Sequence, residues 1–209
     1  MCGGILDSRL RGNDDVKRPS GKLRIIGGEF RSRRVEFDPQ AGVRPTPDRV
    51  RQTLFDWLSP LIVGARCLDL FAGSGALGLE ALSRGAAHVT FVETGARQAE
   101  LIRDALVSLG ATARATVLRT DALGELRALP ERFFDVVFVD PPFDAGLLAP
   151  ALAALPRVLA PGARVYAESH RAGALPWPPG YAVLRDKKAG QVSYALATHG
   201  PEQPAGTPA

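Results

Sequence analysis

Hydrophobic positions along the chain change period several times. Short apolar runs near 66–71, 88–93, 115–119, 134–140 and 163–168 read as buried strands. Between them, near 76–84, 95–109, 122–129 and 145–159, the spacing becomes helical. Strands that alternate with helices predict a parallel sheet covered on both faces. Upstream, "LRIIGGEFRSRRVEF" reads as two short strands around a Gly-Gly turn, with Arg31, Arg33 and Arg34 near the tip. "RPTPDRVRQTLFDWLSP" opens a helix, with Thr46 as N-cap, Pro47 at the first helical position and Val50, Leu54, Trp57 and Leu58 at helical spacing. Downstream, "YAVLRDKKAGQVSYALA" reads as two strands joined by a Lys-Lys-Ala-Gly turn. Residues 1–21 lack periodicity and are expected to be a disordered tail or an upstream start-site artefact, and residues 200–209, rich in Pro and Gly, are expected to be a disordered tail. An N-terminal hairpin-helix extension over 22–60 and a larger α/β domain over 61–199 are expected between them.

Composition narrows the class without naming it. Hydrophobic residues make up 45% and charged residues 23% of 209 positions, the profile of a soluble globular protein. No apolar run approaches the roughly 20 residues that a membrane helix needs. Two cysteines, Cys2 and Cys67, do not form a disulfide framework, and three scattered histidines have no metal-ligand spacing. A cytoplasmic setting without a metal is expected. The charge is uneven: residues 1–56 hold 12 Lys/Arg and 8 Asp/Glu, while the other 153 residues hold 14 of each. The whole net charge of +4 therefore lies upstream, which suits a polyanion partner such as nucleic acid.

The chemistry gathers at strand ends. "CLDLFAGSGALGLEAL" joins a strand to a helix through Phe71, Ala72, Gly73, Ser74 and Gly75. Gly73, Gly75 and Gly78 match G-x-G-x-x-G, which alone suggests a dinucleotide. Asp69 argues otherwise, because a diphosphate at a helix N-terminus needs N–H donors rather than a nearby carboxylate. A cofactor that bears an amino group and a sulfonium fits, and S-adenosylmethionine has both. The next strand ends in Glu93, placed to take both ribose hydroxyls. "TDAL" offers Asp121 to an adenine amino group and the Ala122 N–H to a ring nitrogen, although Asp121 could equally cap the following helix. The fourth strand ends as "VFVDPPF". Proline lacks an N–H and cannot continue a central ladder, so Asp140, Pro141, Pro142 and Phe143 form a stiff platform beyond the strand. The Asp140 carboxylate and the Pro141 carbonyl offer two acceptors to an exocyclic amino group, and Phe143 offers a face on which an unpaired base can stack.

These motifs together are similar to a known family. "DLFAGSGALGLEALSRGA" with "FVDPPF" resembles the S-adenosylmethionine-dependent amino-methyltransferases. With "LRIIGGEFRSRRV", "RPTPDRVRQTLFDWL" and "KAGQVSY", it resembles the bacterial 16S ribosomal RNA guanine-N2 methyltransferases, over roughly 22–197. The resemblance implies a Rossmann-like α/β fold. Its sheet has seven mostly parallel strands with an antiparallel last strand, helices on both faces, and a small N-terminal hairpin-helix extension. It implies one guanine of small-subunit rRNA as the target, within a partly assembled 30S subunit, and a monomeric enzyme. Arg44 would hold RNA phosphate or the loop, and Thr46 and Arg49 join Arg31, Arg33 and Arg34 as RNA-facing residues. Residues 1–21 have no counterpart in the family, and Asp144 stands where a basic residue is expected. A DNA adenine-N6 methyltransferase would carry a separate target-reading domain. A non-catalytic RNA-binding assembly factor would not need both motifs. An NAD-dependent oxidoreductase would not place Asp69 by the glycine turn.

Overall fold

The computed structural model describes residues 20–39, 45–142, 145–169 and 174–200. The predicted site residues Arg44 and Phe143, and nearly all of both expected tails, lie outside the described residues.

Two strands open the chain, β1 (Gly21–Arg24) and β2 (Arg34–Phe37), and pair antiparallel as a separate small sheet. Helix α1 (Asp48–Leu58) follows. Then come β3 (Arg66–Asp69), α2 (Ala76–Ser83), β4 (His88–Val92), α3 (Ala96–Ser108), β5 (Ala115–Leu118), α4 (Ala122–Glu125), β6 (Phe134–Val139), α5 (Leu148–Ala154), β7 (Leu159–Ser169), β8 (Tyr181–Ala189) and β9 (Val192–His199). The main sheet has seven strands in the order β5-β4-β3-β6-β7-β9-β8. Strands β3 to β7 run parallel, and β9 is antiparallel to both neighbours, as expected.

The central strands are apolar on both faces because helices cover both. In β6, Val136 and Phe138 enter one core, while Val137 and Val139 enter the other. The first core is closed by α1, α2 and α3, and the second by α4 and α5. The period of two has a chemical consequence. Cys67, Phe138 and Tyr166 face the first core. The residues two further on, Asp69, Asp140 and Glu168, emerge on that same face at the strands' C-terminal ends.

Two local expectations are corrected. Thr46 does not cap α1: Pro47 is the N-cap, with φ −56° and ψ 146°, and no side chain caps the helix. The Thr46 hydroxyl is turned instead toward a carboxylate, a stronger acceptor partner than a neutral one. The β8–β9 turn is not Lys-Lys-Ala-Gly. Lys187, Lys188 and Ala189 stay in the ladder opposite Tyr194, Ser193 and Val192. Gly190 (φ 63°) and Gln191 make the turn, because the ladder continues up to the residue that can adopt positive φ.

The extension is fastened to α2 by hydrogen bonds. Ile26 and Gly27 each donate their N–H to the Glu80 carboxylate at 2.9 Å, and Phe30 donates to the Ser83 hydroxyl at 2.9 Å. Helix α2 returns from the strands' C-terminal ends to their start, so its last residues lie at the opposite end of the sheet from Asp69. The tip of the small hairpin is held there. Arg33 donates to the Ser108 carbonyl, at the end of α3.

Candidate active site

At the C-terminal ends of β3, β4, β5 and β6, the chain leaves a cavity of about 320 Å³. It is lined by Asp69, all of Phe71 to Ser74, Glu93, Asp121, Ala122, Asp140, Pro141 and Pro142 among others. This is where open α/β sheets bind ligands, since the strand order reverses between β3 and β6. Residues assigned to separate motifs in the sequence thus share one cavity. Gly75 is the left-handed N-cap of α2 (φ 74°) and turns the chain into the helix beneath it. Gly78 serves packing: a Cβ there would lie 2.2 Å from the Phe91 ring. The G-x-G-x-x-G match therefore combines a turn with a close helix–strand contact.

On one side of the cavity the carboxylates are held by backbone donors. Glu93 Oε2 accepts from the Gly73 N–H at 2.7 Å, and Oε1 accepts from the Gly95 N–H at 2.6 Å. Asp121 caps α4, accepting from the Gly124 N–H at 2.7 Å. Each carboxylate keeps further lone pairs for a ligand.

The other side is crowded. Asp69 is buried and accepts from the Gly78 N–H at 2.9 Å. Burial pushes its carboxyl up to about 7; the Gly78 N–H opposes this and nearby Glu93 adds to it. Asp140, half-buried, is raised well above the usual carboxylate range by desolvation, then by Glu168 and Asp69, while the Thr46 hydroxyl works against them. Thr46 Oγ1 lies 3.5 Å from Asp140 Oδ2, the outer edge of hydrogen-bonding distance. Glu168 is raised by burial, against the Tyr166 hydroxyl that donates to it at 2.7 Å. Pro141 and Pro142 follow directly, so the platform's own carboxylate is opposed by two neighbouring carboxylates, Glu168 and Asp69.

The residues named for RNA fall into two places. Thr46 lines the cavity, and Arg49 is exposed in the first turn of α1 beside it. Arg31, Arg33 and Arg34 are exposed at the small hairpin's tip, at the far end of the sheet. Charge counting along the chain merges the two groups because it carries no direction. The sequence reading missed Glu168 and Tyr166, and also Gln98, whose side-chain oxygen accepts from the Asp38 N–H at 2.8 Å at the cavity edge. Glu168 had a legible signal. It is a carboxylate at the end of an apolar run, "ARVYAES", as Asp69, Glu93 and Asp140 are. Among the described residues no group of His, Cys, Asp and Glu could hold a metal ion, and no helix is long and apolar enough to cross a membrane.

Comparison with known proteins extends the picture. Residues 23–198 match the family model described as conserved hypothetical protein 95. The chain is 46% identical, over 190 residues, to the ribosomal RNA small subunit methyltransferase D of Escherichia coli K12, covering 87% of this chain and 94% of that one. The solved structure of the E. coli protein yhhF superposes with a TM-score of 0.77 at 43% identity, covering 87% of this chain and all of that one. A methyltransferase from Geobacter sulfurreducens shares the fold alone, with a TM-score of 0.63 at 14% identity over 78% of this chain and 84% of that one. The architecture is thus the Rossmann-like methyltransferase fold.

Proposed function

The chain belongs to the conserved hypothetical protein 95 family, alongside the small-subunit rRNA methyltransferases D, and from that premise we propose that it methylates the exocyclic N2 amino group of one guanine in 16S ribosomal RNA, using S-adenosylmethionine. The substrate is the RNA of a partly assembled 30S subunit, and the enzyme acts as a monomer in the cytoplasm. One observation carries this reading: Asp140-Pro141-Pro142 and the Asp69–glycine-turn constellation line a single cavity.

The cavity suits the cofactor. Asp69 meets a cationic amino-acid end. Glu93, with lone pairs beyond those used by Gly73 and Gly95, meets ribose hydroxyls. Asp121 and Ala122 meet the adenine edge, and the turn from Phe71 to Gly75 brings backbone close. When bound, the cofactor supplies an electrophilic methyl group on a sulfonium.

The chain's own residues do the rest. A guanine amino group is a poor nucleophile because its lone pair is delocalised into the ring. The Asp140 carboxylate and the Pro141 carbonyl draw its hydrogens and turn the lone pair toward the methyl group. The same carboxylate offsets the positive charge that develops on nitrogen. Pro142 stiffens the loop, and Phe143 provides the face on which the flipped base stacks. Arg44 and Arg49 contact RNA phosphate.

The decisive experiment is mass spectrometry of the modified nucleosides in 16S rRNA from cells lacking the gene, with and without a plasmid copy. Loss of one N2-methylguanosine, restored by the plasmid, is expected. An unchanged nucleoside profile would remove the reading.

A further inference from the structure

We propose that buried Arg51 is a positioning residue for methyl transfer: it holds the N-terminal extension so that the Thr46 hydroxyl donates to Asp140. This rests on the function proposed above.

Arg51 is 0% exposed, in the middle of the inward face of α1. A guanidinium stays charged and is costly to bury, so such a residue survives only with its donors occupied. All its nitrogens are engaged. Nε donates to the Thr46 carbonyl at 3.1 Å, and Nη2 donates to the Arg24 carbonyl at 2.9 Å and to Asp48 Oδ1 at 2.6 Å. Nη1 lies 3.5 Å from Glu80 Oε2. Glu80 is also 0% exposed and accepts from Ile26, Gly27 and Arg84 Nε. Arg51 therefore joins three segments at one point: the end of β1, the residues entering α1, and the middle of α2.

One of these contacts leads into the cavity. The residue whose carbonyl Arg51 holds is Thr46, buried at 5% exposure, whose hydroxyl faces Asp140 Oδ2. Among the described residues, the titratable groups around Asp140 are Asp69 from β3, with Glu93 behind it, and Glu168 and Tyr166 from β7, with Tyr194 beside them on β9. Of these, Glu168 and Asp69 disfavour a charged Asp140. The Thr46 hydroxyl is the donor that favours the charged form. Its donation also occupies one carboxylate oxygen and leaves the other for the guanine amino group. The extension thereby helps complete the transfer site that the sheet begins.

The sign follows. Without the Thr46 donor, Asp140 keeps its proton to higher pH, so the acid limb of the rate profile moves up. The test is single-turnover methyl transfer to partly assembled small subunits at saturating S-adenosylmethionine across pH, on the full chain. It is paired with NMR titration of the ¹³C-labelled Asp140 carboxyl in the protein alone. Thr46→Val should transfer roughly tenfold more slowly on the acid side, the usual worth of one hydrogen bond to a charged group, and converge with the parent at high pH. Thr46→Ser should restore the limb. Arg51→Lys cannot present a planar fork to two carbonyls. It should move the limb in the same direction, and the Thr46→Val/Arg51→Lys double variant should move it no further than Thr46→Val does. Should Arg51→Lys fail to fold, the Thr46 variants still decide. An unchanged limb and an unchanged Asp140 titration in Thr46→Val would overturn the proposal, as would an Arg51→Lys defect equal at every pH. Should the parent transfer no methyl to small-subunit RNA, the function reading falls by itself, and the titration alone decides between the parent and the Thr46 and Arg51 variants.

Discussion

The two sides of the cavity use the same side chain for opposite ends. Glu93 and Asp121 are carboxylates already satisfied by backbone N–H groups at 2.6–2.7 Å, and they stabilise the turns they sit in. Asp69, Asp140 and Glu168 crowd one face of adjacent strands; Glu168 and Asp69 raise the proton affinity of Asp140, and burial raises that of all three. The first group costs the fold nothing and keeps lone pairs free to accept from a ligand. The second stores unfavourable electrostatics that a cation, or charge developing in a reaction, would relieve. Electrostatic strain of this kind clusters at functional sites.

Asp140 carries the largest expected effect. Asp140→Ala should lower the single-turnover rate by about 10²- to 10³-fold, the usual worth of a preorganised electrostatic contact, with S-adenosylmethionine affinity nearly unchanged. Asp140→Asn should be milder, because an amide oxygen still accepts. A wild-type rate in Asp140→Ala would reduce "VFVDPPF" to a strand end.

Asp69 sharpens the contrast because function and stability should move apart. Its folded-state carboxyl is pushed up to about 7, above the ordinary carboxylate value of 3.8. Holding the negative charge in the fold therefore carries no penalty below the unfolded value and its full penalty above about 7. The ligand-free protein should lose stability as pH rises between these values. Asp69→Asn keeps an acceptor for the Gly78 N–H and removes that slope. It should gain roughly 2–4 kcal/mol at pH 8 in chemical denaturation, while binding S-adenosylmethionine much more weakly. In the parent, the affinity should rise with pH through about 7 as Asp69 ionises, with proton release visible by calorimetry in buffers of different ionisation enthalpy. A pH-independent affinity would take the cofactor's cation away from Asp69.

Glu93→Ala should move stability the other way. It leaves the Gly73 and Gly95 N–H groups without their acceptor, so the ligand-free protein should lose about 1–3 kcal/mol of stability. Cofactor affinity should fall by roughly tenfold or more, as for a hydrogen bond to a charged group. Unchanged affinity would remove Glu93 from the ribose site.

The smallest effect concerns the distant arginines. Replacing Arg31, Arg33 and Arg34 with Ala should leave the transfer rate at saturation unaltered. It should flatten the salt dependence of subunit binding by up to about 0.7–0.9 in slope per lost phosphate contact. A wild-type slope would make the hairpin tip a solvated surface.

The order of strands and helices, and the residues that line the cavity at the ends of β3, β4 and β5, were legible because each depends on local sequence. A period of two or 3.6, a glycine that must turn, a proline that must stop a ladder and a carboxylate at a strand end are readable within a few residues. "CLDLFAGSG", "HVTFVE" and "VFVDPP" announce themselves this way, and strand alternation then brings them to one edge of the sheet. Tertiary structure alone decided which side chains meet across the elements. Nothing in "RPTPDRVRQ" distinguishes a capping Thr46 from one that faces Asp140, 94 positions away. Nothing along the chain pairs Arg51 with Glu80, or sends Arg33 to the end of α3 rather than to the cavity mouth. Electrostatics and hydrogen bonding depend on distance in space, and that distance exists only once the helices have packed on the sheet.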